Sequence, residues 1–278
     1  MLDNFQLIPG EAFTAIGNLG EKLIDKLSDA VGFIATPKGN RKNIIEAEQF
    51  LIDQIKADDG KPYIQKAAEI SNARRLIREY NNQNDIVNIA IQNLGEDAMP
   101  ENIDVDWLAY FMDRAKNIST EDMQIIWGKI LAKECESEIP GTLINVLSLI
   151  DKDDAETFRK LCGCCIEILD SKEPFVVFDS NFPIYLNNNI TLNSILSLQV
   201  LGLVCISENG YGIKLDQSMI EWKYFGKKCI ISRKNGGLHL WLGNVQFTKA
   251  GKKLSEVIVP QYIDGLMEVV ESVMKYHV

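Results

Sequence analysis

The chain has 278 residues, 46% of them apolar, 24% charged and 8% aromatic, which supplies a core and excludes disordered, collagen-like and coiled-coil classes. No run approaches eighteen consecutive apolar residues and no basic segment opens the chain, so neither a spanning helix nor a secretory signal is expected. The formal charge of −10 lies at the front: residues 1–172 hold 19 Lys/Arg against 30 Asp/Glu, and residues 173–278 hold 10 against 9.

Non-specific nucleic-acid affinity rests on clustered Lys and Arg, so any such role falls to the C-terminal part. Six cysteines in a chain of this length, without a signal peptide, read as reduced thiols, and a cytoplasmic location is expected.

In chain order, Ile16, Leu19, Leu23, Leu27, Ala30, Val31 and Ile34 recur at three and four positions, one stripe of a helix. Thr36-Pro37-Lys38-Gly39-Asn40 stops it, because proline disfavours helical geometry in the residue before it. Residues 1–39 thus form an amphipathic N-terminal helix and linker. Membrane contact, if made, would run through residues 12–36; the mixed charges of the polar face favour ordinary packing.

Residues 40–171 read as an α-helical body. Ile44 to Ile55, Ile64 to Tyr80 and Ile86 to Leu94 keep helical periodicity around a break at Gly60-Lys61-Pro62. Asp104 or Asp106 caps the next helix, and Ser119 with Asp122 resembles a capping box for the one after. Trp107, Phe111 and Ala115 share a face of the first, and Met123, Trp127, Ile130 and Leu131 a face of the second. Asp151 to Ala155 opens a helix expected to continue to Leu169.

Residues 172–278 change texture. Phe175–Phe178 reads as a strand and Thr191–Leu201 as a helix. Two hairpins are expected: Leu203–Ser207 with Tyr211–Leu215 around Glu208-Asn209-Gly210, and Lys228–Ser232 with Leu238–Leu242 around Asn235-Gly236-Gly237. Thr248 caps a helix, and Val257–Tyr276 reads as a terminal one. The predicted fold class is mainly α with a C-terminal α+β module, a helical body plus a winged-helix-like domain.

Several spaced motifs run in one order: Arg74, Arg75, Arg78, Asn81 and Asn88; Asp106-Trp107; Ala115, Ile118 and Ser119; then Met123, Gln124, Trp127, Gly128, Leu131, Ala132 and Glu134. Pro140-Gly141, Asp154, Ala155 and Phe158 follow, and Phe247, Thr248, Ala250, Gly251 and Leu254 close the chain. Together they resemble a bacterial family known only as a domain of unknown function, similar in texture to abortive-infection alpha proteins. The resemblance implies a part in defence against phage. It singles out Asp106, Trp107, Ser119, Gln124, Trp127 and Glu134 as structural motif positions and carries no catalytic residue.

Turnover chemistry finds little footing. His239 and His277 lie in no nucleophile motif, Cys162-Gly163-Cys164-Cys165 lacks zinc-knuckle spacing, and no nucleotide-binding glycine loop is present. No catalytic residue, metal or cofactor is expected. The feature that stands out is a basic stretch from Lys223 to Lys253 without Asp or Glu. Within it Lys227, Lys228, Arg233, Lys234, Lys249, Lys252 and Lys253 are the candidates for contact with DNA or another polyanion; the simpler reading is that they pair with the chain's own acids or blunt a sheet edge. The expectation is therefore a non-enzymatic interaction protein with a protein partner or self-association. DNA binding through the C-terminal domain and membrane association through the N-terminal helix are the alternatives.

Overall fold

The structure, a computed structural model, describes residues 12–35, 41–169, 171–177, 182–216, 218–232 and 238–277. About 59% of the described residues are helical and 18% lie in strands, so the protein is mixed α+β with a helical body. Two compact units divide between Gly141 and Thr142.

The first unit contains α1 (Ala12–Val31), α2 (Arg41–Ala57), α3 (Tyr63–Gln92), a 3-10 turn (Pro100–Asn102), α4 (Val105–Ala115) and α5 (Glu121–Glu134). On α1 the middle of the predicted stripe turns inward, with Leu23 and Leu27 fully buried, while Val31 and Ile34 at its end stay exposed. Gly32, at φ +67°, ends the helix and lets the Phe33 N–H reach back to the Leu27 carbonyl at 3.4 Å. Phe33 then stacks on Tyr80, ring centroids 5.7 Å apart, and the Tyr80 hydroxyl donates to the Ile34 carbonyl. Asp104, rather than Asp106, caps α4 by accepting from the Trp107 N–H at 2.8 Å.

The expected Ser119–Asp122 capping box is not formed. Thr120 is the cap residue of α5 and makes no side-chain bond. Buried Gln124 holds that turn instead, its side-chain amide donating to the Ile118 carbonyl at 3.0 Å.

The second unit starts with α6 (Gly141–Leu149, its first residue in the first unit) and α7 (Lys152–Gly163), the latter capped by Asp151. The helix expected to reach Leu169 stops at Gly163. A Cβ there would stand 2.2 Å from the Gln261 carbonyl oxygen, so only glycine permits the approach, and Tyr224 donates its hydroxyl to the Gly163 carbonyl. Cys165-Ile166-Glu167-Ile168 then alternates as a strand, both isoleucines inward.

A four-stranded antiparallel sheet has the order β2-β1-β4-β5, from β1 (Cys165–Ile168), β2 (Ser171–Pro174), β4 (Met219–Tyr224) and β5 (Lys227–Ser232). A two-stranded sheet joins β3 (Val204–Leu215) to β6 (Leu238–Phe247). This differs from the expected pairing in three ways. Val176, placed in a strand by its apolar run, makes a single bridge to Gly243 after Pro174 ends the β2 ladder. Glu208-Asn209-Gly210 is not a hairpin turn: β3 runs through it with a register shift, Gly210 taking φ +73°. Finally, β5 pairs with β4 across the two-residue turn Phe225–Gly226, both at positive φ, and β6 closes on β3. The predicted turn at 235–237 lies outside the described residues.

Short α8 (Pro183–Asn187) and α9 (Leu192–Val200) are joined by a turn with Asn189 at φ +58°, and Thr191 with Ser194 forms a reciprocal capping box for α9. Thr248 caps α10 (Lys249–Val257) as expected, accepting from the Gly251 N–H. The predicted terminal helix from Val257 starts only at Leu266, as α11 (Leu266–His277). Pro260 cannot donate and restricts Val259 before it, and Gly265 takes φ +80°.

Candidate functional site

Trp107, Trp127 and Glu134, three of the motif residues of the helical unit, come together in a structural latch. Trp107 stacks on Phe111 at 5.1 Å and Phe111 tilts against Trp127 at 5.0 Å. The Trp107 indole N–H donates to the Ile139 carbonyl at 3.0 Å, and the Glu134 carboxylate accepts from the Ile139 N–H. Both polar groups of one buried backbone residue are thereby satisfied, by two motif side chains, just before Pro140. Gly128 lies where α5 crosses α3, with no room for a Cβ beside Ile89 and the Ile86 carbonyl. Two side-chain amides of α3 serve the same packing: Asn82 donates to the Lys116 carbonyl and Gln83 to the Met112 carbonyl, both at 2.8 Å, which satisfies groups at the C-terminal end of α4. Asp106 is exposed in the first turn of α4 and Ser119 is exposed before α5.

The described basic candidates fall on two elements. Lys227 and Lys228 lie on β5, and Lys249, Lys252 and Lys253 on α10; Arg233 and Lys234 lie outside the described residues. Lys228 pairs with Glu221 at 3.1 Å, Lys252 with Glu173 at 3.0 Å and Lys253 with Glu256 at 3.7 Å. The acids absent from the stretch 223–253 are thus supplied by its neighbours. Lys227 lies over the Tyr262 ring at 5.6 Å, and Lys249 is exposed. Around Lys223 and Glu221 opens a polar cleft that Glu167, Leu169, Ser171 and Lys172 complete, on the solvent face of the four-stranded sheet.

The thiols are no reactive cluster. Burial pushes the Cys135 thiol up to about 12 and raises those of Cys162 and Cys164 further, so they stay protonated where a nucleophile or metal ligand must ionise. Among the described residues no group of three or more His, Cys, Asp or Glu is placed to hold a metal ion, and no helix is long and apolar enough to cross a membrane.

Two features escaped the sequence reading. The first is on α9, where Leu192, Leu196 and Val200 repeat every fourth residue and remain 50%, 42% and 88% exposed; residues 191–201 contain no Lys, Arg or His. The i, i+4, i+8 spacing was visible, but burial normally explains such a stripe. The second is an aromatic cluster of Tyr224, Phe225 and Tyr262, with centroids 4.9 to 5.4 Å apart. Tyr262 is distant in sequence, so only the fold brings it there.

Among known proteins, the model of a family described as "Protein of unknown function (DUF2806)" matches residues 71–267. Neither the curated proteins nor the solved structures give a significant match.

Proposed function

The chain belongs to the DUF2806 family, and we propose from that premise that it is a non-enzymatic interaction protein whose C-terminal unit is a winged-helix-like module turned to binding protein. In this reading α8 and α9 are the helix-turn-helix, β3 with β6 the wing, and α10 the closing helix. The observation that carries it is the exposed face of α9. A helix that reads duplex DNA needs cations for phosphate and donors for base edges, whereas this one offers Leu192, Leu196 and Val200 to solvent and carries no base. Exposed apolar stripes of this kind mark interaction surfaces. The pairing of Lys228, Lys252 and Lys253 with acids likewise supports protein over duplex DNA. Burial of Leu23 and Leu27 supports packing over lipid for the α1 stripe.

The setting proposed is the bacterial cytoplasm, and defence against phage is the role suggested by the motif resemblance. The test compares the full chain with a variant carrying Leu192→Ser, Leu196→Ser and Val200→Ser, after both show the same cooperative melt. Light scattering reads self-association and affinity capture from host extract reads a partner; loss of either in the variant is the expected result. Identical association and capture profiles for the two proteins would discard the reading, as would tight, sequence-selective binding of duplex DNA that survives the three substitutions.

A further inference from the structure

The β4–β5 turn spends its backbone on an aromatic side chain. In a two-residue turn of this type both central residues take positive φ, which Asn or Asp followed by Gly adopts readily. Here the first position is Phe225, at φ +45°. A bulky residue in the left-handed region is strained, and strain of this sort is retained where the placement of a side chain matters.

The placement is specific. Tyr224, fully buried, donates its hydroxyl to the Gly163 carbonyl and accepts from the Ile263 N–H, both at 2.9 Å. It thereby pins the hairpin to the loop that carries Tyr262. Phe225 and Tyr262 lean on its ring, edge-on to each other at 78° with centroids 5.4 Å apart. Despite these contacts they remain 43% and 39% exposed. One cation borders them: Lys227, opposite Tyr224 in the ladder, lies over the Tyr262 ring at 5.6 Å. Lys223 and Lys228 face the other side of the sheet, where they pair with Glu221, so the positive charge beside the rings is small.

We infer that Phe225 and Tyr262, held by Tyr224 and flanked by Lys227, form a stacking site for single-stranded nucleic acid. The chemistry fits a single strand better than a duplex: unpaired bases offer π-faces to aromatic side chains, and the one cation beside them suffices for a single phosphate. This site is separate from the α9 face, so either can fail without the other.

The test uses the full chain and fluorescence anisotropy of labelled oligothymidylate and oligouridylate, with a duplex of equal length and vesicles containing anionic lipid as comparisons. The single strands should bind, and the duplex and vesicles should bind much more weakly. With about one phosphate contacted, log Kd should change with log salt at a slope of roughly 0.7. Phe225→Asn suits the turn better yet removes the ring, and Phe225→Leu keeps apolar packing. Both variants, and Tyr262→Leu, should retain a cooperative melt while losing about five- to hundredfold in affinity per stacked base. Lys227→Glu should weaken binding and lower the salt slope. Absence of single-strand binding, a cooperatively folded Phe225→Asn protein that binds as the unaltered chain does, or preference for duplex or vesicles would each overturn the inference.

Discussion

Gly128→Ala tests the crossing of α5 on α3. The added Cβ would stand 2.5 Å from Ile89 Cγ2, 2.6 Å from Ile89 Cβ and 2.9 Å from the Ile86 carbonyl oxygen. A flexible side-chain end could step aside; a Cβ and a backbone oxygen cannot without moving α3. Overpacking of this kind costs about 1–3 kcal/mol, and a backbone obstacle places the cost near the top, about 3 kcal/mol. Replacing a mid-helix glycine by alanine returns about 1 kcal/mol of helix propensity. The net expectation is a loss of about 2 kcal/mol, or a melting temperature lower by about 4–8 °C for a protein of this size. Differential scanning calorimetry measures it, with Gly17→Ala as the control, because a Cβ on Gly17 meets nothing within 4 Å. Ile89→Ala in the Gly128→Ala background should recover part of the loss, since contacting residues couple. If Gly128→Ala melts at or above the temperature of the unaltered protein, α3 and α5 do not approach as described and the role assigned to Gly128 is wrong.

Glu134→Ala should cost about 1.5–3 kcal/mol, the worth of a hydrogen bond to a charged acceptor, with Glu134→Gln recovering part; chemical denaturation of both decides whether the Ile139 latch contributes. Thr248→Val keeps the shape but removes the acceptor for the Gly251 N–H and the donor to the Gly202 carbonyl at 2.6 Å, and a loss of about 1–2 kcal/mol is expected in the same assay. Thiol-reactive dye should modify exposed Cys205 first and reach Cys135, Cys162 and Cys164 only on unfolding; early labelling of Cys164 would contradict its burial. The raised thiols also set a pH dependence. In the unfolded chain Cys135 loses its proton near 9, in the folded protein only near 12. The unfolded state therefore binds fewer protons across that window. The contribution is intact below pH 9 and falls by about 1.4 kcal/mol per pH unit between 9 and 12. Urea midpoints from pH 8 to 11 should drop less steeply for Cys135→Ala; parallel curves would argue against it.

The helical body was largely legible because its signals are local. The stripe of α1 and the faces shared by Trp107 with Phe111 and by Trp127 with Ile130 and Leu131 follow from spacing alone, whereas spacing leaves Asp104 and Asp106 equal as caps of α4. The Ser119–Asp122 box failed because Gln124, five residues on from Ser119, captured the turn through a bond that sequence spacing does not announce. In the second unit the errors were errors of partner. Cys165 to Ile168 continued an apolar run, so its period of two was hidden behind the helix before it. Glu208-Asn209-Gly210 has turn chemistry, yet Gly210 serves to pass beneath Trp241, whose indole nitrogen would stand 2.0 Å from an added Cβ. Lys227 and Lys228 were seen as a charge run, but their acid and aromatic neighbours arrive from residues 221 and 262. The Phe225–Tyr262 pair was beyond reach for the same reason.

The nesting of one hairpin inside another pair has a kinetic side. Leu215 pairs with Leu238, so the outer ribbon must close a loop of roughly twenty residues, whereas the inner strands meet across a two-residue turn. Hairpins form in about 1–10 μs, and the cost of closing a loop grows with the logarithm of its length. Once β4 and β5 have zipped, the segment still free between Leu215 and Leu238 is less than half as long, which lowers the closure cost by about 1 kcal/mol. The inner hairpin therefore acts as a splint for the outer one, and changes that slow its zipping should delay the meeting of β3 and β6.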